Sequence, residues 1–133
     1  MNIIGALDYE SGETIHSLEE QFTAREFEAF LRLLLKKCPN EKIVVILDNA
    51  RLHHAKCLEE FLKENESLLE LVFLPPYSPD LNMIEELWGW LKETVVNNVF
   101  YEKAMHLTAA VQTFFRDINK TPQKTAERLC FQF

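Results

Sequence analysis

The run Lys42-Ile43-Val44-Val45-Ile46-Leu47 ends on Asp48, and no other stretch of the chain constrains the fold as strongly. It is too short for a helix, rich in β-branched side chains and continuous rather than alternating, the pattern of a strand covered on both faces. A carboxylate at the C-terminal end of such a strand stands where α/β proteins place metal and substrate chemistry. A second apolar run, Leu69 to Leu74, is followed by prolines at 75, 76 and 79, which stop sheet and helix alike. The chain then opens a helix on Asn82-Met83-Ile84-Glu85, so that a second carboxylate follows a second strand.

The rest of the chain supplies the layers such strands need. Ile3 to Leu7 and Thr14 to Leu18 bracket a polar segment containing Gly12, which predicts a hairpin. Thr23-Ala24-Arg25-Glu26 has the form of a capping box, and Phe27, Phe30, Leu31, Leu34 and Leu35 follow at helical spacing up to Lys36-Lys37. A second helix is expected from about His54 to Glu64, with Leu58, Phe61 and Leu62 inward. Ile84, Leu87, Trp88, Leu91 and Val95 mark a third helix, and Leu107, Val111, Phe114, Phe115 and Ile118 a fourth. Thr121-Pro122 reads as N-cap and first residue of a short last helix. The order implies an α/β layer in which the strands ending at Asp48 and Leu74 are parallel, joined right-handedly through the helix between them.

With 133 residues, 47% of them hydrophobic, the chain is expected to form one domain that buries about two thirds of its unfolded surface. Cys38, Cys57 and Cys130 are odd in number and match no zinc spacing, so they read as reduced, structural thiols of a cytoplasmic protein. No secretion signal and no membrane-length apolar run is expected. The net charge of −7 argues against a general nucleic-acid binder unless divalent metals and a separate basic module supply the attraction.

Asp48 and Glu85 are the candidate catalytic and metal-binding carboxylates. Two such groups can hold magnesium for in-line phosphoryl displacement. Either also has a purely structural reading, Asp48 as a helix cap or turn residue and Glu85 as the N3 residue of a capping box opened by Asn82. Glu86 takes the role of Glu85 if the helix phase differs by one. His53 is placed to contact a phosphate or a scissile strand, His54 to begin a helix, and Asn49 to brace the turn or the carboxylate; Arg51 and Lys56 are candidates to meet phosphates, with solvated surface charge as the ordinary reading of each. Trp88 continues an apolar stripe, whereas Trp90 lies off it, free to stack on a base or a partner; the phenylalanines read as core. Phosphate-loop, nucleophile-elbow and zincin motifs are absent.

The paired motifs, Leu47-Asp48-Asn49-Ala50-Arg51-Leu52-His53 and Leu74-Pro75-Pro76-Tyr77-Ser78-Pro79-Asp80-Leu81-Asn82-Met83-Ile84-Glu85 with Leu87-Trp88, closely resemble DDE transposases of the Tc/mariner superfamily, in particular its bacterial insertion-sequence branch. Asp48 and Glu85 have 36 residues between them. Ile4-Gly5-Ala6-Leu7 and the Phe27 to Leu34 helix are similar to the family's segments too. The resemblance implies a ribonuclease-H-like, three-layer fold with a mixed sheet and helices on both faces. It also implies Mg2+- or Mn2+-dependent cleavage and strand transfer at transposon ends, with Asp48 matching the family's second catalytic carboxylate and Glu85 its third. Met83 stands where the family usually has proline. The family's first Asp lies on a central strand upstream of the segment matched by Ile4 to Leu7, so residues 1–133 are expected to be a truncated catalytic (integrase-like) domain without that strand. Asp8 is a substitute only by its place near a strand end.

Three functions compete on these grounds. One is a transposase catalytic fragment, inactive alone, that needs an upstream DNA-binding module and is expected to dimerise. The others are a non-catalytic dimerisation or partner-binding remnant, and a compact nuclease built on Asp8, Asp48 and Glu85.

Overall fold

The computed structural model describes residues 2–47, 55–73, 83–97 and 99–129. They fall into two compact units, one comprising Met1–Ile4 with Ser17–Asn82 and the other Gly5–His16 with Met83–Phe133. Among the described residues four strands and five α-helices follow in the expected order: β1 (Asn2–Leu7), β2 (Thr14–Glu19), α1 (Ala24–Lys37), β3 (Ile43–Leu47), α2 (Lys56–Glu64), β4 (Leu69–Phe73), α3 (Ile84–Leu91), α4 (Ala104–Lys120) and α5 (Pro122–Leu129). A π-helical turn, Lys92–Val96, continues α3. No helix among the described residues is long and apolar enough to cross a membrane.

In the first unit, α1 starts where its capping box requires. The Thr23 hydroxyl accepts from the Arg25 N–H at 3.3 Å, the Glu26 carboxylate accepts from the Thr23 N–H at 2.9 Å, and the Thr23 hydroxyl bonds the same carboxylate. These bonds, the Thr23 side chain first, hold the Glu26 carboxyl below its usual range. Phe27, Phe30, Leu31 and Leu34 are its buried stripe, and α1 packs on α2, where Arg32 lies 4.6 Å from the centroid of the Phe61 ring. β3 and β4 pair in parallel, Ile43 opposite Leu69 through Leu47 opposite Phe73.

One expectation fails here. β3 and β4 are not covered on both faces: Val44, Ile46 and Val72 are 52%, 42% and 41% exposed, while Leu47 and Leu69 are buried. A continuous apolar run identifies a strand, but it carries no information on whether a layer lies over each face. The described strands also form two sheets of two, β1 with β2 and β3 with β4.

In the second unit, the hairpin closes through Asp8 N–H to Glu13 carbonyl and Gly12 N–H to Asp8 carbonyl, each at 2.9 Å. Gly12 has φ +80°, and a Cβ there would run into the Pro122 carbonyl oxygen and Ala126 of α5. β2 is clasped to α4 by Asn119, whose Oδ1 accepts from the Thr14 N–H (2.9 Å) and hydroxyl (2.8 Å) while its Nδ2 donates to the Thr14 carbonyl (2.9 Å). His16 stacks on Phe115 with ring centroids 4.2 Å apart. Val111, Phe114, Phe115 and Ile118 form the buried stripe of α4.

The expectation that every phenylalanine is core fails at Phe100 and Phe22, which are 86% and 44% exposed. Both lie outside the helices, where no periodic stripe assigns them a face. Cys38 is half-buried and Cys57 exposed, both free thiols; Cys57 is therefore not the packed residue its type suggested, and Cys130 lies outside the described residues.

Candidate metal and nucleic-acid site

The first unit sets the edge at which the site is expected. Because β3 and β4 run in parallel with Leu47 opposite Phe73, the segments that begin at Asp48 and Leu74 leave the pair at the same, C-terminal end. That is where ligands bind in open parallel sheets. The buried Leu47 side chain fixes the register of the residue before Asp48. Asp48, Asn49, Arg51, His53 and His54, and the proline-rich motif 74–82, lie outside the described residues. Lys56 is the exposed first residue of α2.

The second unit positions the other carboxylate. Glu85 and Glu86 occupy the first turn of α3, both exposed, where the unsatisfied backbone N–H groups favour negative charge. Leu87 and Leu91 anchor the helix as buried residues. The Trp88 ring lies where a Cβ on Gly5 of β1 would come within 2.6 Å of it, so glycine at that strand position lets α3 approach.

The N-cap of α3 is Met83 rather than Asn82, which places Glu85 at the second helical position and not at the third as a capping box requires. Met83 has no side-chain cap; its N–H instead receives the Tyr9 hydroxyl as acceptor at 3.4 Å. Nothing in the sequence marks Tyr9 for this, since it reads as one residue of a polar turn.

Tyr9 also brings the turn carrying Asp8 to the start of α3. Yet the Asp8 carboxylate is occupied by that turn, accepting from the N–H groups of Glu10 at 2.8 Å and Ser11 at 3.2 Å. This is an Asx turn, the structural role short acidic residues commonly fill.

Trp90 is not free to stack on a base. It is half-buried, edge-to-face with Phe114 at 5.3 Å, and the Arg128 guanidinium covers its ring at 4.4 Å. Arg128 also meets Glu93 at 3.8 Å. Among the described residues no three His, Cys, Asp or Glu side chains cluster as a metal site.

A family model described as DDE superfamily endonuclease matches residues 1–108, both units included. The chain belongs to this family. It is also similar to the insertion element IS630 uncharacterized 39 kDa protein of Shigella sonnei, 30% identical over 80 residues; the match covers 60% of this chain and 23% of that protein. Among solved structures, the catalytic domain of Mos1 mariner transposase superposes with a TM-score of 0.66 at 16% identity, over 96% of this chain and 69% of that one. The family match and the insertion-element likeness agree with the Tc/mariner-type bacterial branch that the paired motifs resemble. The fold likeness is to a ribonuclease-H-like transposase catalytic domain.

Proposed function

We propose that this chain is part of a transposase catalytic domain that cuts and rejoins DNA at transposon ends, and that Asp48 and Glu85 are two of its metal-binding carboxylates. The observation that carries the reading is the parallel register of β3 and β4, which directs both motif-bearing segments from one sheet edge, in a chain whose family match runs through residue 108. Because that match crosses both units, we read residues 1–133 as parts of one domain.

Aspartate and glutamate offer hard oxygen donors, the chemistry that holds Mg2+ or Mn2+. The exposed first-turn position of Glu85 leaves its carboxylate open to such an ion. A divalent ion held by Asp48 and Glu85 would supply Lewis-acid chemistry, activation of a water or a 3′-hydroxyl and stabilisation of the departing oxygen. In this reading Asn49 would brace the turn or the carboxylate, His53 would contact a phosphate or the scissile strand, and Arg51 and Lys56 would meet phosphates.

The site that the paired motifs resemble has a further Asp, and the Asp8 carboxylate is held in its turn. We therefore read the chain as inactive by itself, with a further carboxylate and a DNA-binding module supplied by other residues, and a homodimer as the working form. Incubation of supercoiled plasmid with the chain and Mn2+ tests this. No nicking is expected. Nicking by the wild type that disappears in both Asp8→Asn and Asp48→Asn would replace this account with a complete site built on Asp8.

A further inference from the structure

The outer edge of β4 offers backbone groups and an apolar groove side by side. Among the described residues β4 pairs with β3 alone, and the Ile43 N–H donates to the Leu68 carbonyl at 2.8 Å. In a parallel ladder alternate residues direct their backbone groups to the same side. Those of Leu68, Glu70 and Val72 therefore turn toward β3, and those of Leu69 and Leu71 turn outward. The Leu69 N–H is taken by the Asn65 carbonyl at 2.9 Å, which leaves Leu71 at the centre of the edge that no described strand occupies.

A cavity of about 340 Å3 runs along this edge, lined by Leu58, Glu59 and Leu62 of α2 and by Leu69, Glu70 and Leu71 of β4, among others. No residue of β3 lines it. Glu70 lies on the opposite face of β4 from Leu69 and Leu71, so the cavity wraps around the strand rather than sitting on one face.

We infer that this edge accepts an extended segment of another polypeptide in which apolar and basic residues alternate. An added strand pairs its backbone with Leu71 and turns alternate side chains to the two faces. On the α2 side they meet the half-buried Leu62 and Leu71, which select apolar groups. On the other side they meet Glu70, a cross-strand partner for a cation, and Glu59 adds a second carboxylate at the rim. Glu70 already pairs with Lys42 at 3.5 Å, with both side chains about half exposed, so an incoming cation adds to a solvated pair.

A second copy of this chain is the poorer occupant, because it brings the same glutamates and a net charge of −7. Nucleic acid meets the same repulsion. The inference stands on the groove alone and does not rest on the metal chemistry.

The test uses the full chain and a synthetic peptide alternating valine and lysine, followed by fluorescence anisotropy and by 15N amide shifts. A valine–glutamate peptide and a backbone N-methylated valine–lysine peptide are the controls. Binding of the valine–lysine peptide alone is expected, with shifts concentrated at the amides of β4. Glu59→Gln/Glu70→Gln is expected to weaken it about tenfold, with the circular dichroism spectrum and melting temperature retained. If that variant unfolds, the N-methylated control still decides. Absence of binding, equal binding of the acidic or N-methylated peptide, an unchanged affinity in a folded double variant, or shifts elsewhere would overturn the inference.

Discussion

The Thr14–Asn119 clasp shows how one side chain can hold an element in place. Thr14 is 4% exposed, so its backbone and hydroxyl groups depend on Asn119 for three hydrogen bonds. Asn119→Ala leaves those groups unpaired in a site where water does not readily replace them, at a cost of about 1–3 kcal/mol. Urea denaturation of the variant measures it. Nothing in the sequence pairs residues 105 positions apart, because a hydrogen bond leaves no periodic trace. Nearby, burial against Phe115 lowers the pKa of His16 from its ordinary 6.5. The folded state resists a proton that the unfolded chain accepts below that value. His16 therefore contributes stability that is full above 6.5 and lost as pH falls through its lower folded value. Denaturation midpoints at about pH 7.5 and about pH 5.5 are expected to differ less in His16→Gln than in the wild type.

Elements with a long apolar period were legible from the chain alone. α1 carries its stripe over Phe27, Phe30, Leu31 and Leu34 with a capping box at its start, and α4 buries Val111, Phe114, Phe115 and Ile118. The short elements were legible in kind but not in environment. β3 was recognisable from Ile43–Leu47, but its exposed face was not, because neighbouring layers are set by residues distant in sequence. On α3, Trp90 falls off the Leu87–Leu91 stripe and yet packs on Phe114, since a helix flanked by another helix buries more than one stripe. The face assignment is testable. Ile46→Thr, on the exposed face, is expected to change stability by no more than about 0.5 kcal/mol, whereas Leu69→Ala, at 2% exposure, is expected to cost about 2–5 kcal/mol. Equal losses in urea denaturation would mean that both faces are covered.

For the molecule as a whole, the family was readable because the residues around Asp48 and Glu85 form two dense motifs at fixed spacing, and the match over residues 1–108 bears this out. The geometry of the proposed site was not readable, because Asp48 follows a strand and Glu85 opens a helix distant in the chain, and a motif carries no tertiary placement. The central proposal is that Asp48 and Glu85 are metal-binding carboxylates. Isothermal titration calorimetry of Mg2+ and Mn2+ into the chain tests it most directly. The account predicts weak but measurable binding, loosened at least about tenfold in Asp48→Ala and in Glu85→Ala alike, with the fold intact by circular dichroism. An Asp48→Ala isotherm superimposable on that of the wild type would contradict it.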